Sequence, residues 1–594
     1  GQGSENDNNK NLVYPALDHS IAETYAAQSS ATNKNSLYDS YIRAFRWASD
    51  RIKGQGIIAF VSNGSFIDGA SANGFRKTLA AEFSSVYVFN LRGNQRTSGE
   101  TSQREGGKIF GQGSRTPIAI TLLVRNPNAR GPCTLRYHDI GDYLSRDDKL
   151  STIRDFGSVE AIPWQSLTPD ASGDWIDQRD TLFAKFAPLG DKKSTSAPTV
   201  FGVYSMGLQS KRDAWVYNFS RATMLASVHR MVDFYNEQLA SIAALANERE
   251  LTAAYIDTLI DRSPTKISWT RGLKADLRRL KAANLDERCA VISTYRPYCK
   301  QWLYFDRQFN DMVLLTPRLF PTMAHKNIVI ASMGVGASKP FSALITNAMP
   351  SHDLIEKGQC FPLYYYEPAD SDGLLFADGE VVDGYRRRDA ITDATLSRYQ
   401  ARCGTDVTKE DIFYYVYGVL HSPIYKQRFA ADLKKMIPRI PTVADFWGFS
   451  DAGRQLAAWH LDYEEVDPWP LEEITLGAAD DYRVEKMRFG KDGKAEDKTR
   501  IRYNSHLTFA GIPEEAYSYE VNGKSAIEWI MDRYQVKTDR DSGIVNNPND
   551  WALEHGDPRY IVDLLKRIVS VSMATVNIVN HLPDLELLTR DPGQ

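Results

Sequence analysis

Between Leu37 and Arg125 the chain alternates two apolar patterns, and this alternation restricts its fold more than any other feature. Leu37, Tyr41, Ala44, Phe45, Ala48 and Ile52 recur at helical spacing, which predicts an amphipathic helix. Gly54 and Gly56 end that helix, and "GIIAFVS" (56–62) follows as a short, wholly apolar, β-branched run. A second helix is expected over 74–83, then strands over 85–91 ("SVYVFNL") and 117–125 ("PIAITLLVR"). Apolar runs without polar alternation need cover on both faces, so the pattern specifies an α/β fold.

The last two strands are separated by the loop Arg92–Thr116, about 25 residues long. Loops of that length inside a compact domain are uncommon and usually serve a function. This one sets Arg92, Arg96, Arg104, Lys108 and Arg115 against Glu100 and Glu105, and it holds six glycines. Glycines let a backbone come close to a ligand.

At 594 residues the chain is too long for one core, and domain sizes suggest roughly three to four units. Changes of texture divide it into 1–130, 131–460 and 461–594. The first 35 residues are polar and weakly periodic. Further on, 219–261 reads as one long helical stretch, 271–284 as a basic helix, 391–460 as mostly helical and 558–580 as a last helix. Strand-like runs at 482–490 and 499–509 flank a charged turn.

The formal net charge is −4, so any nucleic-acid binding must come from local patches. Five cysteines form no CxxC pair, which argues against a disulfide framework or zinc knuckle and points to a reducing, cytoplasmic setting. No apolar run is long enough to span a bilayer. Gly523-Lys524-Ser525 imitates a phosphate loop, but Ser518 stands where that loop needs its first glycine. The stretch instead predicts a turn and a capping box, with Ser525 at the N-cap and Glu528 three residues on. Glu496 and Lys498 read as a solvated hairpin tip, and His138–Asp139 and His352–Asp353 as surface pairs without a nucleophile. No metal-ligand set is expected. The stronger signal is basic–aromatic interleaving in "SKRDAWVYNFSR" (210–221) and "STYRPYCKQWLYFDRQF" (293–309). Arginine forks beside aromatic rings suit phosphates and base edges, although tryptophan and tyrosine also fill ordinary cores.

"NKNSLYDSYIRAFRWASDRI", "GIIAFVSNGSFIDG", "VFNLRGNQRTSGE" and "GSRTPIAITLLV" resemble the second half of an adenine-N6 DNA methyltransferase domain from the type ISP restriction–modification enzymes. "FGVYSMGLQSKRDAWVYNFSR", "YRPYCKQWLYFDRQF", "DIFYYVYGVLHSPIYKQRF" and "DSGIVNNPNDWA" resemble the target recognition region of the same family. The resemblance extends over essentially the whole chain. It implies the C-terminal part of a Rossmann-like methyltransferase sheet in 1–130, a mixed α/β target recognition domain with long helices in 131–460, and an α/β extension in 461–594. It also implies an intact enzyme that uses S-adenosylmethionine and acts on double-stranded DNA. That enzyme would carry an N-terminal methyltransferase half, a motor and a nuclease, none of which is in this sequence. The opening on Gly1 fits a fragment.

The resemblance places the Arg92–Thr116 loop near DNA, with Arg92, Asn94, Gln95 and Arg96 as contacts; the same residues would also serve to knit the loop. Lys211, Arg212, Tyr295, Arg296, Lys300 and Gln301 are the candidates for base reading. A structural coupler between methyltransferase and motor is the alternative. If 56–62 is a bared edge strand, the first 35 residues should be loosely anchored or folded over it.

Overall fold

The computed structural model of the chain describes residues 12–588, apart from 32, 98, 112, 193–197, 247–249, 370–380, 478–480 and 494. The alternating stretch builds one sheet. Helices α1 (Pro15–Ile21) and α2 (Ser40–Ser49) precede strand β1 (Gly56–Asn63), and α3 (Asn73–Glu82) leads into β2 (Ser85–Asn90). A short helix, α4 (Gly99–Glu105), sits inside the long loop. Then come β3 (Ile118–Arg125), β4 (Thr134–Asp139), α5 (Arg146–Phe156) and β5 (Gln165–Leu167). The spatial order is β1-β3-β2-β4-β5. Strand β3 is antiparallel to β1 and to β2, whereas β2 and β4 are parallel.

Alternate residues of the central strands serve two cores. Val86, Val88, Ala119 and Leu123 pack with Phe45, Phe66, Phe75 and Leu79. Phe89 and Ile118 pack with Ile140, Ile153, Phe156 and Ile109, the last supplied by the loop. Double cover holds for the central strands but not for β1, an edge strand on which Ile57 is 69% and Val61 55% exposed.

Two expectations about this region are corrected. Among the described residues the segment before α2 is anchored rather than loose. Arg43 holds Asp18 through paired hydrogen bonds of 2.7 and 2.9 Å, and Tyr25 is buried edge-on to Phe75. Residues 1–11 lie outside the described part. The boundary at 130 is also displaced, because β4 and β5 extend the same sheet. The first compact unit comprises Gly1–Ala184 together with Phe429–Met436, and the second comprises Lys185–Arg428 with Ile437–Gln594. The boundary expected at 460 falls inside the helix Phe446–Leu461.

The second unit is a mixed α/β assembly that contains a large apolar cluster among its described residues. One of its sheets runs Met349–Pro350, Ala290–Arg296, Cys299–Tyr304, Tyr217–Asn218, and another runs Ala343–Thr346, Val329–Ser332, Gln359–Pro362, Ser205–Met206. The helix Lys409–His421 packs along Phe446–Leu461, and Tyr560–Asn580 closes the chain's helical layer. The stretch 219–261 is two helices, Arg221–Leu245 and Ala253–Leu259. Thr252 caps the second by accepting from the Tyr255 amide. The strand expected at 482–490 starts only at Arg488. Val484 exchanges its backbone hydrogen bonds with the Asn549 side chain instead of with a neighbouring strand. The capping box forms as read: Ser525 accepts from the Glu528 amide and Glu528 from the Ser525 amide. No helix among the described residues is long and apolar enough to cross a membrane.

Candidate nucleic-acid interface

In the first unit the long loop is stapled shut by its own polar groups. Arg92, at φ +55°, donates to Asp139 at 2.6 Å and pairs with Asp142. The Asn94 side chain accepts from the Arg96 amide, and the Asn94 amide donates to Glu105. Gln95 donates to the Gly106 carbonyl, and Lys149 donates to the Glu105 and Gly107 carbonyls from below. Gly106, at φ +67°, lies so close to the Leu144 carbonyl that a Cβ would come within 2.2 Å of it. Three of the four proposed loop contacts are therefore engaged within the protein. Arg96, with Lys108 and the half-exposed Phe110, remains on the solvent side.

In the second unit the candidate residues converge around one hairpin, Ala290–Arg296 with Cys299–Tyr304. Arg296 lies over the Tyr295 ring at 3.9 Å and donates to the Tyr295 carbonyl and Ser351 Oγ. Its guanidinium also faces Asp213 at 3.6 Å and Asp353 at 3.8 Å. Tyr295 donates to Asp213. Lys211 is exposed, while its neighbour Arg212 is buried and donates to Thr270 Oγ1. Burial holds the Arg212 guanidinium down to about 10, against the pull of Asp311 and Asp306. Gln301 is buried beside Cys299 and Asn546, and Lys300 is paired with Glu464. In this conformation Arg212 and Gln301 lie too deep to touch a base, and Lys300 is already neutralised. Lys211 is exposed, whereas Tyr295 and Arg296 are half-buried and held by Asp213, with Asp353 also facing Arg296.

The geometry adds cations that sequence reasoning passed over. Lys339, Lys524 and Arg533 surround the Trp529 ring at 6.0, 5.1 and 5.8 Å from its centroid. Asp532 receives Lys524, Arg533 and Lys537 together, and their charges hold its carboxyl far below the usual range despite burial. Burial pushes the Lys339 amine down, and Lys524 and Arg296 push it further, against Glu356 and Asp353. Lys537 is depressed by burial and by Arg533. His352 is depressed by burial and, against Asp353, by Lys211, Arg296 and Lys357. Seven cations (Lys211, Arg296, Lys339, Lys357, Lys524, Arg533 and Lys537) thus share one continuous field with four carboxylates, Asp213, Asp353, Glu356 and Asp532. Of these cations Lys339 and Lys537 are depressed by burial and by neighbouring cations, a strain that a polyanion would relieve, whereas Arg296 is raised, against burial, by Tyr295, Asp213 and Asp353. The sequence signal was the spacing Lys524, Trp529, Arg533, Lys537, which a capping box explained locally.

A family model for the Type ISP C-terminal specificity domain matches residues 199–564, most of the second unit. Three solved structures of DNA-bound enzymes are similar over 99% of the chain. A nuclease-deletion mutant of the Type ISP restriction–modification enzyme LlaGI, in complex with a DNA substrate mimic, shares 40% identity at a TM-score of 0.86. The ATP-dependent Type ISP enzyme LlaBIII bound to DNA shares 34% at 0.86, and a DrdV–DNA complex shares 33% at 0.83. The chain belongs to the Type ISP restriction–modification family and carries its specificity domain. It spans 52%, 36% and 56% of those three chains, respectively. No curated protein matches it.

Proposed function

We propose that the second unit selects a target sequence in double-stranded DNA for a restriction–modification enzyme, and that the basic face around Arg296 and Trp529 carries the contact. One observation bears most of the weight: seven cations share a face with four carboxylates, a local excess of three positive charges on a chain whose net charge is −4. Phosphates would add counter-charge to this face and release counterions. The first unit is proposed to be part of the adenine-N6 methyltransferase domain of the intact enzyme. S-adenosylmethionine would serve that enzyme as methyl donor, and the reading places no cofactor contact on any described residue.

Duplex binding measured by fluorescence anisotropy across a salt series tests the proposal. The triple variant Lys339→Ala/Lys524→Ala/Arg533→Ala should weaken binding and flatten the plot of log affinity against log salt. The slope should fall by about 0.9 for each phosphate that the variant no longer neutralises. An unchanged slope would remove this face from the DNA. A coupler between methyltransferase and motor is the second reading, favoured by the Phe429–Met436 segment, which leaves the recognition sequence to join the first unit. Site-specific binding that survives Arg296→Ala would support it.

A further inference from the structure

The second unit contains a cavity of about 420 Å³ remote in sequence from the Arg296 hairpin, and nothing in the proposed function uses it. Its wall is built by Pro340–Ala343, His421, Pro423 and Lys426, the turn Ser518–Glu520, and Thr575–Asn580 of the last helix. Apolar groups form much of that wall, among them Phe341, Val576 and Val579. Lys426 is the cation within it. Among the described residues no hydrogen bond or ion pair engages its ammonium group.

Lys426 is half-buried at the cavity wall and has no partner there, and partial desolvation penalises its charged form. Burial alone pushes the Lys426 amine down to about 8. The neighbouring His421 cannot compensate. It is buried and held neutral by that burial and by the Lys426 charge, with its Nδ1 on the Tyr417 carbonyl. Thr575 is committed to the Val571 carbonyl, and Tyr519 shares its hydroxyl hydrogen bond with Tyr298. The last helix faces the cavity with no charged side chain. Glu520 is the one carboxylate of the wall and lies exposed. Its distance from Lys426 exceeds ion-pair range among the described residues.

We propose that this cavity is a binding site for a small oxyanion, phosphate or carboxylate in chemistry, with Lys426 as its counter-charge. An anion there would supply the missing partner, and the apolar wall would strengthen the pair by excluding water.

Sulfate is the probe, because its charge is constant between about pH 6 and 9 while the lysine titrates in that window. Calorimetric titration of the whole chain with sodium sulfate, in a chloride background of matched ionic strength, should show a saturable site at neutral pH. Lys426→Met should weaken it by about tenfold or more, and Lys426→Arg should retain it. Glu520→Gln should tighten it by removing a repulsive charge. Affinity should fall as the pH rises past about 8, where the ammonium is lost, and rise as Glu520 gains its proton. In the unmodified chain, sulfate but not chloride should slow acetylation of Lys426 read by mass spectrometry. Equal sulfate binding by the wild type and Lys426→Met, or equal acetylation with and without sulfate, would overturn the site.

Discussion

Asp174 shows how much a single buried residue can organise in this chain. Its carboxylate has no exposure and takes Arg76 at 2.6 Å, Arg179 at 3.0 Å and Lys435 at 3.1 Å. Arg76, also fully buried, gives its remaining donors to the carbonyls of Gly173, Phe66 and Gly69. Such a cluster is tolerable only because every charge has a partner, and removing one partner leaves the others stranded. Asp174→Asn should therefore cost about 3–5 kcal/mol of stability in the first unit. It should also raise hydrogen exchange in 429–436, where Lys435 is anchored. A destabilisation below about 1 kcal/mol by chemical denaturation would mean that the cluster is not an organising centre. None of this was legible in the sequence, where Arg76 and Asp174 stand 98 residues apart. The candidate recognition residues were half legible for a related reason. Basic–aromatic interleaving marked Lys211 and Arg212 alike, yet one is exposed and its neighbour buried. Composition cannot separate two adjacent cations whose fates are set by which way the backbone turns, here at φ +57° on Lys211.

Secondary elements were readable where their cause is local. The Ser525 capping box, β2, β3 and the last helix depend on neighbours a few residues away, and they appear within a few residues of where the pattern puts them. Elements failed where a distant partner decided, as when Asn549 drew Val484 out of a strand. Helix crossings belong to the same category. Lys409–His421 and Phe446–Leu461 meet backbone to backbone at Gly418 and Gly453. A Cβ on Gly453 would stand 1.9 Å from the Tyr414 carbonyl, and one on Gly418 would stand 2.2 Å from the Phe449 carbonyl. In sequence these glycines look like mere weak points in helices. Gly453→Ala should gain up to about 1 kcal/mol of helix propensity but force the pair apart at a cost of about 1–3 kcal/mol. Net destabilisation in a denaturant titration is the expected result, and a more stable variant would show that the two helices are free to separate.

Across the molecule, charge and burial pull in different directions, and proton uptake makes that conflict measurable. The second unit buries two histidines side by side, His421 and His460, with ring centroids 5.7 Å apart. Tyr417 joins them, bonding His460 Nδ1 at 2.6 Å and accepting from His421 at its carbonyl, while Thr575 meets His460 Nε2. Burial and the Lys426 charge hold His421 down to about 3, and burial and His421 hold His460 well below its ordinary range. Both are neutral in the folded chain at pH 7. Once unfolded, each titrates near 6.5, so below that pH the unfolded state binds protons that the native state refuses. Their stabilising contribution is therefore complete above about pH 6.5 and is lost as the pH falls, for His421 down toward about 3, at about 1.4 kcal/mol per unit for each histidine. His421→Asn keeps a donor for the Tyr417 carbonyl but cannot take up a proton. Denaturant stability measured between about pH 7 and 5, above most carboxylate titrations, should decline less steeply in this variant than in the wild type, by about one proton. Parallel curves would show that His421 takes up its proton as readily in the folded state as in the unfolded one, and the buried neutral pair would have to be abandoned.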